Sequence, residues 1–542
     1  MIVGRFFPKE GNREPHIHPS ELARSQGRCL LQRGWGRYVA VMIDDRNHCI
    51  FLCRDPLGLA SLYVVIYKDG VLFASDPGLL YTGLPTSPPL DWGYLATFLV
   101  HGPVTTTRTP FKGVHEVRPG GCLTITPEGC NSTTHWDPVD VAGNEMQIHP
   151  TDAAEAVHSV LTSSVRQWTY GSHGIYLDLS GGIDSSSLLV VLKELEVTVI
   201  AAFVHYRTVR VADELSFAQL VARHLDCELI ELDGDSCLPF SPPLVERRLA
   251  QRPIGQLVLS RLQDLHLAAR PRTNMEFMNG FGGDQVFMAN LGEGLYLLDH
   301  LRRGGIVGGW TEILSASART GWPLVNIMAT SAKTLFRHFI LRRYDGHRWA
   351  DPVPTWCTDD LRNLLTDDIL HPPFWHDLRR LSPAKARQVL EVYNSTAWVD
   401  RHIRCVDSLM LHPFLSQPLV ELGLRLPVPD LYANGFDRRP LRRSMHERLP
   451  MAIVARTGKG DYFGVYQRGL RANLTEVESV LQHGELARLG LIDNDAALAA
   501  LRLAAMGPTL DLWPIINLIS LEIWLSRHKP QGVHRASLDG PN

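Results

Sequence analysis

Every uncharged apolar run in this chain falls short of the roughly 18 residues that a bilayer span needs. No cationic start leads into an apolar run at the N-terminus. These two absences argue against a membrane anchor or export signal and favour a cytoplasmic protein. A surplus of either charge is missing too: 54 Lys plus Arg face 57 Asp plus Glu, for a formal net charge of −3. That balance offers no electrostatic reason to expect nucleic acid or a membrane surface as partner. Cysteine is scarce and scattered, with nine residues at 29, 49, 53, 122, 130, 227, 237, 357 and 405. The number is odd and no paired metal-ligand spacing appears, which fits reduced thiols. What is present is apolar substance: 45% hydrophobic residues over 542 positions, enough for two or more packed units.

From "GRYVAVMID" through "CIFLCRDPLGLASLYVVIYKDGVLFASD" short apolar runs alternate with Gly, Pro and Asp turns, which predicts consecutive strands joined by hairpins. The first 135 or so residues therefore read as β-rich. "WDPVDVAGNEMQIHP", between Trp136 and Pro150, is polar and without sustained periodicity, and is the candidate linker. Beyond it helix and strand alternate: helix "DAAEAVHSVLTSSVRQW", strand "GIYLDLS", a helix from Asp184, strand "VTVIAAFVHY", helix "ADELSFAQLVARHL", strand "ELIELD", strand "NMEFMNG". That order implies an α/β fold with a parallel sheet and helices on both faces. After about residue 288 the text reads as helices, including "PAKARQVLEVYNSTAWVDRHIRCVDSLMLH" and "LWPIINLISLEIWLSRH".

"LDLSGGIDSSS" lacks something as well, the lysine that most phosphate loops carry. Ligands gather at the carboxyl ends of parallel strands, and this strand delivers Ser180, Gly181 and Gly182 there just before a helix N-terminus. Glycine lets backbone N–H groups approach phosphate oxygens, and Ser180, Ser185 and Ser186 can add hydroxyl donors. The order strand, S-G-G-x-D-S-S, helix resembles the pyrophosphate loop of the ATP pyrophosphatase superfamily. That resemblance implies ATP as the nucleotide and adenylyl transfer as the chemistry. Mg²⁺ would then neutralise the pyrophosphate in place of a loop lysine, and a hard cation requires carboxylate oxygens. Asp184 is placed for this, and Asp284 in "NGFGGDQVF" offers a second carboxylate after another strand, beside Gly282 and Gly283. Taken singly, Asp184 can also cap a helix and Asp284 can form a turn.

Stretches along nearly the whole chain resemble one family, the asparagine synthetase type: "RDPLGLASLY", "FKGVHEVRPGG", "SGGIDSSS", "ADELSFAQLVARHL", "GFGGDQVF" and "VDRHIRCVDSLMLHPFLSQPLVELGLRLP". The resemblance implies a glutaminase-like N-terminal nucleophile domain over residues 1–148. Residues 149–542 would be an ATP-binding synthetase domain of adenine nucleotide alpha hydrolase type. A glutaminase of this family needs cysteine directly after the initiator Met, because its free amine serves as the base for its own thiol. Here the text opens Met1, Ile2, Val3, Gly4, without a counterpart of the family's N-G-E loop, so the domain is expected to be degenerate. Arg54, where the family binds the glutamine carboxylate, also opens a sharp "RDPLG" turn that the fold needs in any case.

With no ammonia from glutamine, the amine is expected to arrive with the substrate, as in β-lactam synthetases and lasso peptide cyclases. Phe281 stands where asparagine synthetases carry Glu and β-lactam synthetases Tyr, and Gln285 replaces the acid after the aspartate. The G-x-G-G-D form is most similar to a lasso peptide cyclase. The resemblance makes Lys459 of "ARTGKGDYFGVY" the catalytic residue, stabilising charge on phosphate and carbonyl. Arg401 and Arg404 are possible phosphate or carboxylate contacts, and Asp213 and Glu214 would shape the ATP site or cap a helix. Expected partners are a linear core peptide as substrate and, by the same resemblance, a leader peptidase and a leader-binding protein. A β-lactam synthetase-like small-molecule ligase and an inactive scaffold remain as alternatives.

Overall fold

The structure is a computed structural model, and it describes all residues except 10–16, 68–69, 85–87, 210–212, 243, 245–251, 271–273, 290–294, 340–351, 399–409, 459, 461, 508 and 529–542. Lys459, Arg401 and Arg404 thus lie outside the described residues.

The N-terminal region is β-rich, as its punctuated apolar runs predict. Its strands are β1 (Ile2–Pro8), β2 (Gly34–Asp44), β3 (Cys49–Arg54), β4 (Tyr63–Tyr67), β5 (Gly70–Ala74), β6 (His115–Glu116), β7 (Gly121–Thr126) and β8 (Gly129–Thr134). They form two antiparallel sheets, β1-β2-β3-β7-β8 and β5-β4-β6. Side chains of a strand alternate between faces, so β2 serves two cores at once. Val39 and Val41 pack with Leu52, Leu62, Val64 and Val117, joining the two sheets. Tyr38, Ala40 and Met42 turn to the opposite face, with Leu30, Phe51, Cys53 and Cys122.

The predicted linker is packed structure. Helix Pro138–Gly143 is capped by Asp137, and Trp136, Val139 and Ala142 recur every third residue and bury one face. Trp136 also donates its indole N–H to Glu421 at 3.0 Å. Short length hid this periodicity, since a helix of under two turns gives little to count. The core continues across this segment: Trp35, Leu57 and Trp136 share one apolar cluster with Trp168, Leu188 and Phe414.

Beyond it, β9 (Ile175–Asp178), β10 (Val199–His205), β11 (Leu229–Asp233), β12 (Glu276–Met278) and β13 (Met410–Leu411) form a parallel sheet in the order β11-β10-β9-β12-β13. Helices Pro150–Trp168, Ile183–Glu194 and Leu215–His224 match the predicted alternation. The reading of residues 383–412 as helix fails at its end. Helix Pro383–Asn394 gives way to a 3-10 turn, Ser395–Trp398, and Met410 and Leu411 pair with Phe277 and Met278 as the edge of the sheet. Two residues carry no visible period, and their pairing is long-range.

The closing helix, Leu512–Leu525, buries Ile515, Ile519 and Trp524 in one core with Leu95, Phe98 and Leu99 of helix Trp92–His101. Among the described residues no helix is long and apolar enough to cross a membrane.

The sheet order places the site. From β9 the chain proceeds to β10 and β11 on one side, then returns to β12 and β13 on the other. The crevice between β9 and β12 is therefore a topological switch point, where loops diverge and leave room for a ligand.

Candidate active site

Both predicted loops open into that crevice. The turn after β9 needs glycine twice over: Gly181 has φ +70°, and a β-carbon there would stand 2.6 Å from the Phe217 and Ala218 backbone. Ser185 Oγ lies 3.1 Å from Ser180 Oγ and accepts the Ser180 N–H at 3.2 Å, so the bend is closed by its own hydroxyls. Gly182 is the extended N-cap of helix Ile183–Glu194, and no side chain caps that end. An uncapped N-terminus presents free N–H groups and a positive dipole end to an anion. Ser186 is fully buried, and its hydroxyl finds no partner among the described residues.

The second loop leans directly on the first. A β-carbon on Gly280 would fall 2.8 Å from the Ser185 backbone nitrogen, and one on Gly283 would fall 2.5 Å from Asp184 Oδ1. Gly282, at φ +103°, faces Leu415 instead, so packing as well as any phosphate requires it. These close approaches bring Asp184 and Asp284 together although 100 positions separate them.

What holds the pair was not read from the sequence. One nitrogen of Arg438, Nη1, donates to Asp184 Oδ2 at 2.5 Å and to Asp284 Oδ1 at 2.6 Å. Its other terminal nitrogen reaches Asp437 Oδ2 at 3.1 Å, and Arg442 holds the far oxygen of Asp437 at 2.7 Å. Burial opposes the charge on Arg438, but Asp184, Asp437 and Asp284 outweigh it and raise its pKa. Arg438 sits at φ +50°, a left-handed conformation uncommon for a side chain of this size. Glu312 stabilises the preceding turn by accepting the Asn434 N–H at 2.7 Å. "FDRRPLRR" contains four arginines, and nothing in its spacing singles out one of them.

Two carboxylate oxygens already converge on one cationic nitrogen, in a cradle that a β-carbon at Gly283 would fill. Hard oxygen donors so arranged fit Mg²⁺.

Glu214, expected to shape the ATP site or cap helix Leu215–His224, makes no cap bond. Its carboxylate accepts the Gly460 N–H at 2.6 Å and pairs with the Arg456 guanidinium, which lies 3.9 Å above the Phe217 ring. Asp213 accepts the Leu215 N–H at 3.2 Å. Gly460 and Arg456 are thus fastened to Glu214, the residue preceding the helix against which Gly181 packs. Desolvation by the surrounding protein raises the carboxyl pKa of Asp178, which ends β9, with His266 opposing.

Phe281 places an apolar ring in this loop, set edge-on to His412 at 5.6 Å. Burial, aided by Arg37, lowers the His412 pKa to about 4, and its Nδ1 lies 2.8 Å from Asn279 Oδ1. In the N-terminal region Arg54 is committed to the fold. It donates to the carbonyls of Ala60, Val117 and Gly58 at 2.6, 2.5 and 2.8 Å, and pairs with Glu116 at 2.8 Å.

An antiparallel β region joined to a parallel sheet with paired aspartates at its switch point makes an α/β architecture. The asparagine synthase family model matches residues 156–526, more than half of the chain, and the protein belongs to that family. A glutamine amidotransferase domain model matches residues 21–136.

Among curated relatives, glutamine-hydrolyzing asparagine synthetase 3 of Bacillus subtilis is 25% identical over 157 residues, 29% of this chain and 25% of that one. Glutamine-hydrolyzing asparagine synthetase 2 of the same organism is 24% identical over 455 residues, 79% of this chain and 56% of that one. Amidase chry2 of Gibberella zeae is 26% identical over 235 residues, 40% of this chain and 34% of that one. The chain spans at most 56% of the length of these relatives.

Proposed function

We propose that this protein is an ATP-dependent, AMP-forming amide ligase, and specifically a macrolactam synthetase. It would activate an Asp or Glu side chain of a linear core peptide as the acyl adenylate. The peptide's own N-terminal amine then attacks, and the product is a lasso peptide. Family membership supports the ligase reading. The source of the amine is read from Arg54: the side chain that would bind the glutamine carboxylate is engaged by three backbone carbonyls and Glu116. An amine that does not come from glutamine must come with the substrate. Phe281 supports the same choice, since it offers no proton transfer where related enzymes carry an acid or a phenol.

In this reading Ser180, Gly181, Gly182, Ser185 and Ser186, with Gly282 and Gly283, surround the pyrophosphate half of ATP at the helix N-terminus. Asp184 and Asp284 would hold Mg²⁺. When bound, the ion supplies positive charge against the departing pyrophosphate. Arg438 holds the two carboxylates together and neutralises their charge until then. Lys459 would stabilise the negative charge that develops as the amine adds to the carbonyl. Positioning of a prefolded peptide supplies the rest. A leader peptidase and a leader-binding protein are proposed as pathway partners.

The test is incubation with ATP, Mg²⁺ and a candidate core peptide. A peptide product lighter by one water, with AMP, is expected; glutamine-dependent formation of asparagine would contradict the proposal. Cyclisation of a small β-amino acid would instead favour a β-lactam synthetase-like ligase.

A further inference from the structure

Strand pairing in the N-terminal region assembles a cluster that residue spacing does not reveal. Cys53 on β3 and Cys122 on β7 are direct cross-strand partners, and their sulfurs lie 2.8 Å apart. Thr133 of β8 pairs with Cys122, and His135 follows two residues later. One ligand atom each from Cys53, Cys122 and His135 lies within 4.8 Å of the others. The thiols are buried among Leu30, Tyr38, Ala40, Met42 and Phe51, while His135 is half-buried at the edge.

We propose that Cys53, Cys122 and His135 form a binding site for one thiophilic divalent cation of the Zn²⁺ class, independent of the ligase site. Two thiolates and an imidazole are three donors of the kind that zinc takes, and one further ligand would complete its tetrahedron. The charge balance suits an apolar surrounding. Each thiol passes its proton to solvent as its sulfur–metal bond forms, so two protons leave per ion and the complex is neutral.

His135 is prepared as a ligand. Thr133 Oγ1, 3.3 Å from His135 Nε2, steadies the ring, and the Thr133 hydroxyl also lies 3.3 Å from the Cys122 carbonyl. The covering turn is shaped to the site. Gln26 and Gly27 have φ +51° and +82°, and a β-carbon on Gly27 would stand 2.5 Å from Cys53 Sγ.

The probe is Co²⁺ alone, titrated into the full chain after reduction and chelation. One ion per chain is expected, with sulfur-to-cobalt charge-transfer absorption, release of two protons and displacement by equimolar Zn²⁺. Cys53→Ser and Cys122→Ser should each weaken that absorption, and His135→Gln should weaken affinity about tenfold or more. The oxygen donors of Asp184 and Asp284 cannot produce this absorption, which separates the two sites. If the serine variants fail to fold, peptide mapping of the unaltered protein decides. Both thiols should resist alkylation with Zn²⁺ bound and react after chelation. Absence of the charge-transfer band, its persistence in a folded double serine variant, or a Cys53–Cys122 disulfide in the fresh protein would overturn the proposal.

Discussion

Gly283 stands where a β-carbon would lie 2.5 Å from Asp184 Oδ1. Two glycine-rich loops from different strands are fitted so closely that a methyl group cannot enter. Gly283→Ala should displace the Asp184 carboxylate by a fraction of an ångström to an ångström. Misplacement on that scale reduces rate by about 100-fold. ATP-dependent AMP release checks it, with far-ultraviolet circular dichroism unchanged.

Arg438 occupies the place between the carboxylates that a metal would take. Arg438→Gln removes the guanidinium shared by Asp184, Asp284 and Asp437, all largely buried. Breaking a buried ion pair from one side costs roughly 3–5 kcal/mol. Thermal unfolding without Mg²⁺ should shift down markedly, and millimolar Mg²⁺ should recover more of the loss than in the unaltered protein. An equal response of both proteins to Mg²⁺ would refute the idea that guanidinium and metal share one locus.

Arg54→Ala should act through folding. Three carbonyls and Glu116 lose their donor, with a loss of roughly 3–5 kcal/mol read from urea denaturation. Glutaminase activity should be absent before and after the change.

His412 supplies a pH dependence. Its folded pKa, about 4, lies below the ordinary 6.5 because burial disfavours the imidazolium. Between those values the unfolded chain binds the extra proton, so this group's contribution to stability is complete above pH 6.5 and declines as pH falls toward 4. Urea midpoints at several pH values should show that decline, and His412→Gln should flatten it. A variant with the same slope would remove His412 as its source.

Much of the candidate site was legible because its sequence cues are local. A short apolar strand, a glycine bend and a helix start announced residues 180–186, and a second bend in the same setting paired Asp284 with Asp184. The β-rich first region and the alternating second one were legible for the same reason. Features that depend on distant pairing were not. Arg438 lies among neighbouring arginines, β13 is two residues long, and Cys53, Cys122 and His135 meet only through the register of three strands. Phe281 was visible as a departure from a pattern, but its contact with His412 required the fold.

The central claim is that a peptide carboxylate is activated as an adenylate and captured by the peptide's own amine. Labelling the acceptor side-chain carboxylate of a core peptide with ¹⁸O tests it most directly. The account predicts a product lighter by one water and one ¹⁸O atom transferred to AMP. Label in inorganic phosphate with formation of ADP, or AMP without label, would contradict it.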